Sequence, residues 1–334
     1  MGLQFMLQFS CLFMVWISFG KTNPLHSARQ ISTAEPEKAK PVVFVVGADG
    51  FLGKMAIYAL SAKHGKTLDI RVGVRVPGKA KSLRSLAGVT VYQAELGKKD
   101  RLRKLFKDVT SVFIISSDYG VGMRAELTIA TAEAAKEAGA KHILIYSLVA
   151  AQRPDTIFGK QYSKIETAIS KLNVPYTVLR LPILIANLLA HQDTIKNMST
   201  IYWPLDPDAP FSGVVTGDAS TAAAVILASP QRHAGKIYTI VSDRVTYNEI
   251  VEFFREALGR HVGYVRTSYE DTTAFLQTHD FSKNRAKAIL ELYRLIDARS
   301  NVTDQTNLND YTQITGQNPT STRSWIKKRA FLFK

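Results

Sequence analysis

From residue 42 onward, short apolar runs alternate with stretches in which apolar residues recur every three or four positions. The short runs mark strands buried in a sheet, and the wider spacing marks helices with one inward face. Strands are predicted at Val42–Val46, Asp69–Val74, Val89–Gln93, Val112–Ile115, Ile143–Tyr146 and Tyr176–Leu179. Between them, Leu52–His64, Pro77–Ala87, Lys99–Phe106, Glu126–Ala138 and Thr156–Leu172 have the spacing of helices. This alternation predicts an α/β fold, a doubly wound parallel sheet of the Rossmann type with helices on both faces. Ligands of such folds sit at the carboxyl ends of the strands.

Past Pro182 the alternation stops. Residues 183–209 look like a helix followed by an aromatic, proline-rich loop, and Ala219–Leu227 is an alanine-rich helix. Lys236–Val241 is one more strand, and Thr246–Leu258 and Ser282–Ile296 are amphipathic helices. The expected division is a nucleotide-binding domain over 41–182 and a smaller C-terminal substrate lobe over 183–334, with 211–241 rejoining the sheet. Met1–Gly20 carries no charged side chain, and Ser18 and Gly20 are small residues placed for a peptidase, just before Lys21. A cleaved signal peptide is the first expectation for 1–20, a retained membrane anchor the second, and 21–40 is a linker. A signal peptide would send the chain into the secretory pathway; otherwise it is membrane-anchored or cytoplasmic.

The most informative local pattern is VVFVVGADGFLGK at residues 42–54. A buried strand runs into Gly47, Gly50 and Gly53, and a helix begins at Phe51 and Leu52. Glycines between a strand and a helix let backbone N–H groups approach a pyrophosphate, and the helix N-terminus favours its negative charge. The flanking strand and helix make a dinucleotide site the expected reading.

Composition changes this picture little. The 334 residues are 46% hydrophobic and 21% charged, ordinary for a globular chain. Lys and Arg number 43 against 28 Asp and Glu, a formal charge of +15. The basic residues are dispersed, so nucleic acid is not expected as a partner, while a polyanionic cofactor suits the balance. The one cysteine, Cys11, lies in the N-terminal segment, so a chain cleaved after it has no disulfide. The seven histidines are isolated and none has metal-ligand spacing, so no metal site is expected. Asn197-Met198-Ser199 and Asn301-Val302-Thr303 fit the glycosylation triplet.

Taken together, VVGADGFLGK at 45–54, GVRVPGKAKSL at 73–83, AAKEAGAKHILIYS at 134–147 and VPYTVLRLPILIANLL at 174–189 resemble the NmrA-like group of atypical short-chain dehydrogenase/reductases. HAGKIYTI at 233–240, ELYRLIDA at 291–298 and ITGQNP at 314–319 extend the resemblance over nearly all of 41–334. The group includes NADPH-dependent reductases and non-catalytic nucleotide sensors. The resemblance gives Gly47, Gly50 and Gly53 the pyrophosphate role and places Phe51 and Leu52 beside the cofactor. Asp49 departs from it, since a threonine is common there, and an acid next to a pyrophosphate is unfavourable unless it points away.

The end of the second strand discriminates between the two nicotinamide dinucleotides. A carboxylate there accepts from the ribose 2′-hydroxyl, whereas a basic residue holds a 2′-phosphate. This chain ends that strand with Arg75, and Lys79 and Lys81 follow. A guanidinium fork suits phosphate, and each charge-assisted contact is worth about 1.5–3 kcal/mol, roughly ten- to a hundredfold in affinity. NADP(H) is therefore expected over NAD(H). Relatives tend to carry an aspartate near the adenine where this chain has Glu95, and Ser116 and Ser117 begin a loop expected to pass the ribose.

Reductases of the superfamily use a Tyr-x-x-x-Lys dyad on the fifth helix, the tyrosine protonating a carbonyl oxygen. Aligned through Glu166 and the VPYTVLR block, Phe158 and Tyr162 take the two dyad positions. Phe158, Tyr162, Ile165, Ile169 and Leu172 share one helical face, so Tyr162 points inward, where its hydroxyl either reaches the cleft or sits in the core. Ser147, just after the fifth strand, stands where a serine often orients the reacting carbonyl. Lys164 falls off the apolar stripe and is either a site residue or a solvated charge. Tyr162, Ser147 and Lys164 are the catalytic candidates. A site without the dyad suits a quinone-like or conjugated acceptor, whose delocalised anion needs little help from an acid. The expected function is an NADPH-dependent oxidoreductase acting on such a small molecule. The alternative is a non-catalytic NADP(H) redox sensor working through a protein partner.

Overall fold

The computed structural model describes residues 39–116, 120–279, 281–305 and 308–334. The segment 1–20, the linker as far as residue 38 and the candidate Ser117 lie outside the described residues.

The strands are β1 (Val42–Val46), β2 (Asp69–Val74), β3 (Val89–Gln93), β4 (Ser111–Ile114), β5 (His142–Leu148), β6 (Tyr176–Leu181), β7 (Ile183–Leu184), β8 (Thr200–Trp203), β9 (Phe211–Val214), β10 (Lys236–Thr239), β11 (Asp243–Val245) and β12 (Gly263–Arg266). The helices are α1 (Phe51–His64), α2 (Lys81–Arg84), α3 (Lys99–Leu105), α4 (Gly120–Glu137), α5 (Ile157–Ser170), α6 (Gln192–Met198), α7 (Thr216–Ala228), α8 (Tyr247–Leu258), α9 (Tyr269–Thr278), α10 (Lys283–Asp297), α11 (Asn309–Thr315) and α12 (Thr322–Arg329).

Seven strands form one sheet in the order β10-β6-β5-β4-β1-β2-β3, and every neighbouring pair is parallel. The chain starts in the middle at β1, winds out to β3, then returns to β4 on the other side of β1. That reversal leaves a crevice between the carboxyl ends of β1 and β4.

Alternation along β1 sends its side chains to two cores. Val43 and Val45 pack with Ala56, Ile57 and Leu60 of α1 and with Ala222, Ala223 and Ile226 of α7. Phe44 and Val46 face the opposite layer, with Phe106 edge-on to Phe44 at 5.1 Å and Ile165 and Ile169 of α5 in the same cluster. A third core gathers residues from Ile185 to Phe333, among them Phe254, Trp325 and Ile326.

Several elements differ from the sequence-based expectation. Pro77–Ala87 is a 3₁₀ turn at Pro77–Lys79 followed by the four-residue α2. Helix α4 begins at Gly120, six residues before Glu126; its first turn, with Gly120 and Gly122, carries too little apolar periodicity to mark it in the sequence. The stretch 183–209, expected as helix and loop, also holds β7 and β8. Within 211–241 only β10 joins the main sheet; β9 pairs with β7 and β11 in a separate three-stranded sheet. No helix among the described residues is long and apolar enough to cross a membrane.

Candidate functional site

The glycine loop separates two glycines that the fold requires from one, Gly50, that it does not. Gly47 has φ +82°, and a Cβ there would lie 2.2 Å from the Ile115 carbonyl oxygen. A Cβ on Gly53 would stand 2.4 Å from the Gly47 oxygen and 2.7 Å from Ala48 Cα. Gly47 thus makes the turn, and Gly53 lets α1 lie close to the loop. At Gly50 a Cβ would meet only the Gly47 oxygen, at 3.6 Å. The protein itself does not need a bare backbone at Gly50, which leaves an open approach to the start of α1. Gly50 is the N-cap with no side-chain cap, and the first turn of α1 holds no acid. The first N–H groups of that helix have no intrahelical partner and carry the positive end of the helix dipole. This cradle fits a pyrophosphate.

Asp49 does not oppose such a ligand unmodified. Its Oδ2 accepts from Arg75 Nε at 2.9 Å, so the loop's acid is paired with the cation at the end of β2. Next to this pair, a cavity of about 240 Å³ is lined by Arg75, Gln93, Glu95, Lys98 and Arg101. The fold therefore brings Arg75 and Glu95, both predicted from sequence, to one cavity. Lys98 and Arg101 are not among the sequence candidates; both lie in the basic run GKKDRLRK at 97–104, which the sequence marks only through the helix expected at Lys99–Phe106. Lys81 is exposed on α2 and does not line the cavity. Phe51 is 53% exposed at the lip of the loop, while Leu52 packs against the core. After β4, the hydroxyls of Ser116 and Thr128 share a hydrogen bond of 2.9 Å.

The catalytic candidates go to three separate partners. Ser147 is 1% exposed, and its hydroxyl donates to Glu166 Oε1 at 2.5 Å. Arg180, opposite Ser147 in the β5–β6 register, grips the same carboxylate through Nε at 3.1 Å and Nη2 at 2.6 Å. The expected carbonyl-orienting role thus meets a hydroxyl already engaged in a buried network joining β5, α5 and β6. Tyr162 and Phe158 are both buried in the core layer, with the Arg124 guanidinium 5.4 Å and 5.1 Å from their ring centres. Of the two expectations for Tyr162, the packed one matches its position. Lys164 is 57% exposed and pairs with Glu126 at 2.7 Å on the outer surface between α5 and α4. Its ammonium is engaged there by Glu126, and no contact among the described residues joins it to Ser147 or Tyr162.

A second cleft opens where β5 and β6 end. Leu148, Val149, Leu181, Pro182 and Ile183 line it, with Leu292 across from them. It is apolar and narrow, about 20 Å³, room for roughly one water. Among the described residues no cluster of His, Cys, Asp or Glu could hold a metal ion.

The chain is 28% identical over 238 residues to quinone oxidoreductase 2 of Escherichia coli (strain K12), covering 71% of this chain and 82% of that protein. The crystal structure of the same Escherichia coli enzyme with NADPH superposes with a TM-score of 0.75 at 24% identity, covering 86% of this chain and 99% of that one. Triphenylmethane reductase of Citrobacter sp. with NADP(H) gives a TM-score of 0.74 at 23% identity, covering 86% and 99%. NmrA, a negative transcriptional regulator solved with NAD, gives 0.71 at 17% identity, covering 87% and 95%. These likenesses establish a common fold. The NmrA-like family profile matches residues 39–325, and the chain belongs to that family.

Proposed function

We propose that the chain is an NADPH-dependent oxidoreductase that reduces a small quinone-like or conjugated carbonyl compound. When bound, the dinucleotide supplies a hydride at its nicotinamide ring. The chain's own part is to cradle the pyrophosphate at Gly50, to hold the adenosine end beside Arg75, and to offer an apolar wall at Leu148–Ala150. The observation that carries the choice of substrate is the burial of Phe158 and Tyr162 in the core. In the alignment they take the positions of the proton-donating dyad. Reducing a simple ketone creates an alkoxide that needs an acid, whereas a quinone yields a delocalised phenolate that needs little. On this reading substrate lies between Leu148–Ala150 and Leu292. The relatives named for quinone and triphenylmethane reduction support this choice by analogy.

A second reading is a non-catalytic NADP(H) sensor acting through a protein partner, favoured by the likeness to the regulator NmrA. Loss of reduced-nicotinamide absorbance separates the two when benzoquinone, naphthoquinone and an aliphatic ketone are offered. Turnover with the quinones over the ketone is expected; tight cofactor binding with no turnover leaves the sensor. For location we propose the secretory route, since 1–20 is uncharged and mostly apolar. The mature N-terminal residue decides this, with Met1 retained counting against it.

A further inference from the structure

The geometry points to Arg101 as a determinant of cofactor specificity, facing Arg75 across one cavity so that a phosphate on the adenosine 2′-oxygen is held between two guanidinium groups. The inference rests on the dinucleotide reading of the site. Arg75 comes from the end of β2 and Arg101 from α3, yet both line the same cavity of about 240 Å³. Each arginine is held in place. Arg101 Nε donates to the Gln93 carbonyl at 3.1 Å, and its Nη2 donates to Gln93 Oε1 at 3.4 Å. Gln93 Nε2 in turn donates to the Arg75 carbonyl at 3.4 Å. Gln93 thus links the backbone at the end of β2 to the Arg101 side chain, while Asp49 holds the Arg75 guanidinium.

Charge decides what this cavity selects. Arg75, Lys98 and Arg101 line it against the single acid Glu95, three cations to one anion. Arg75 already spends Nε on Asp49. A guanidinium shared with a carboxylate attracts a phosphate less strongly than one facing it alone, so a second arginine supplies what the first has spent. A ribose hydroxyl gains little from that excess, whereas a phosphate dianion gains from every cation. The walls are exposed, so each arginine is worth a modest factor, about three- to tenfold in affinity. Removing Arg75 alone therefore leaves part of the preference for NADPH intact.

Calorimetric titration of the full chain, its Arg101→Ala, Arg75→Ala and double variants, with NADPH, NADH, adenosine 2′,5′-bisphosphate and adenosine 5′-monophosphate, tests the inference. Arg101→Ala is expected to weaken NADPH and the bisphosphate by about three- to tenfold while leaving NADH and the monophosphate unchanged. The double variant is expected to abolish the preference, and Arg101→Lys to restore part of it. An unchanged NADPH/NADH ratio in Arg101→Ala overturns the inference, as does an equal loss for both dinucleotides, which marks a merely structural role. If the unmodified chain binds neither dinucleotide, the dinucleotide reading itself has failed, an outcome distinct from either.

Discussion

Ser147 and Glu166 form a buried hydrogen bond of 2.5 Å that ties the end of β5 to the middle of α5, with Arg180 closing the carboxylate from β6. On this arrangement Ser147 is expected to act on stability more than on catalysis. Glu166→Ala leaves Arg180 uncompensated in a mostly buried place and is expected to cost about 3 kcal/mol or more. Ser147→Ala removes one hydrogen bond and is expected to cost about 1 kcal/mol. Urea unfolding measures both. Quinone reduction by the Ser147→Ala variant should stay within about threefold of the parent, a change of under about 1 kcal/mol in barrier.

Gly47 and Gly50 are expected to fail in different ways. Gly47→Ala forces a side chain into positive φ and against the Ile115 oxygen, so it should destabilise the fold by at least about 2 kcal/mol. Gly50→Ala has an ordinary φ of −77° and places its Cβ in no more than van der Waals contact with the Gly47 oxygen, so its melting should be near that of the parent. Its NADPH affinity should nonetheless drop. Thermal unfolding with and without NADPH reads both effects.

The Asp49–Arg75 pair places a negative charge next to the pyrophosphate cradle. Asp49→Asn is expected to raise affinity for both dinucleotides by about two- to fivefold, the scale of one exposed charge interaction. Arg75→Ala should instead lower the NADPH/NADH affinity ratio, by about tenfold at most at so exposed a site. Parallel binding isotherms for the two cofactors check both directions.

Two buried histidines predict acid sensitivity. Burial lowers the pKa of His142 and of His191 to about 4. Thr177 donates to the His233 carbonyl at 2.7 Å, so its hydroxyl accepts from His142 Nε2 at 2.9 Å. His142 Nδ1 is then the unprotonated nitrogen, buried with no partner. Because the unfolded chain binds these protons near the ordinary histidine pKa of 6.5, the neutral folded forms contribute full stability above that pH. That contribution is lost as pH falls from there towards about 4, up to about 3 kcal/mol per histidine. Urea unfolding from neutral pH down to the acid limit should show the decline, and His142→Gln should flatten it.

The glycine loop and the strands β1 to β6 were legible because β-branched runs and glycine spacing are local signals. Arg75 and Glu95 were legible because each ends a strand, where a parallel sheet puts its ligands. Arg101 was not, since only the fold brings α3 beside the end of β2. Ser147 and Tyr162 were readable as inward-facing, yet their partners Glu166, Arg180 and Arg124 are set by packing between elements. The small sheets of β7 to β9, β11 and β12 were missed because strands of two to four residues carry too little pattern to distinguish from loop.

Isothermal titration of the folded chain with NADPH tests the cradle at Gly47–Gly53 most directly. Saturable binding that Gly50→Ala weakens without unfolding the protein is the predicted result. No measurable heat with NADPH or NADH, from protein whose cooperative unfolding shows it is native, would contradict the account.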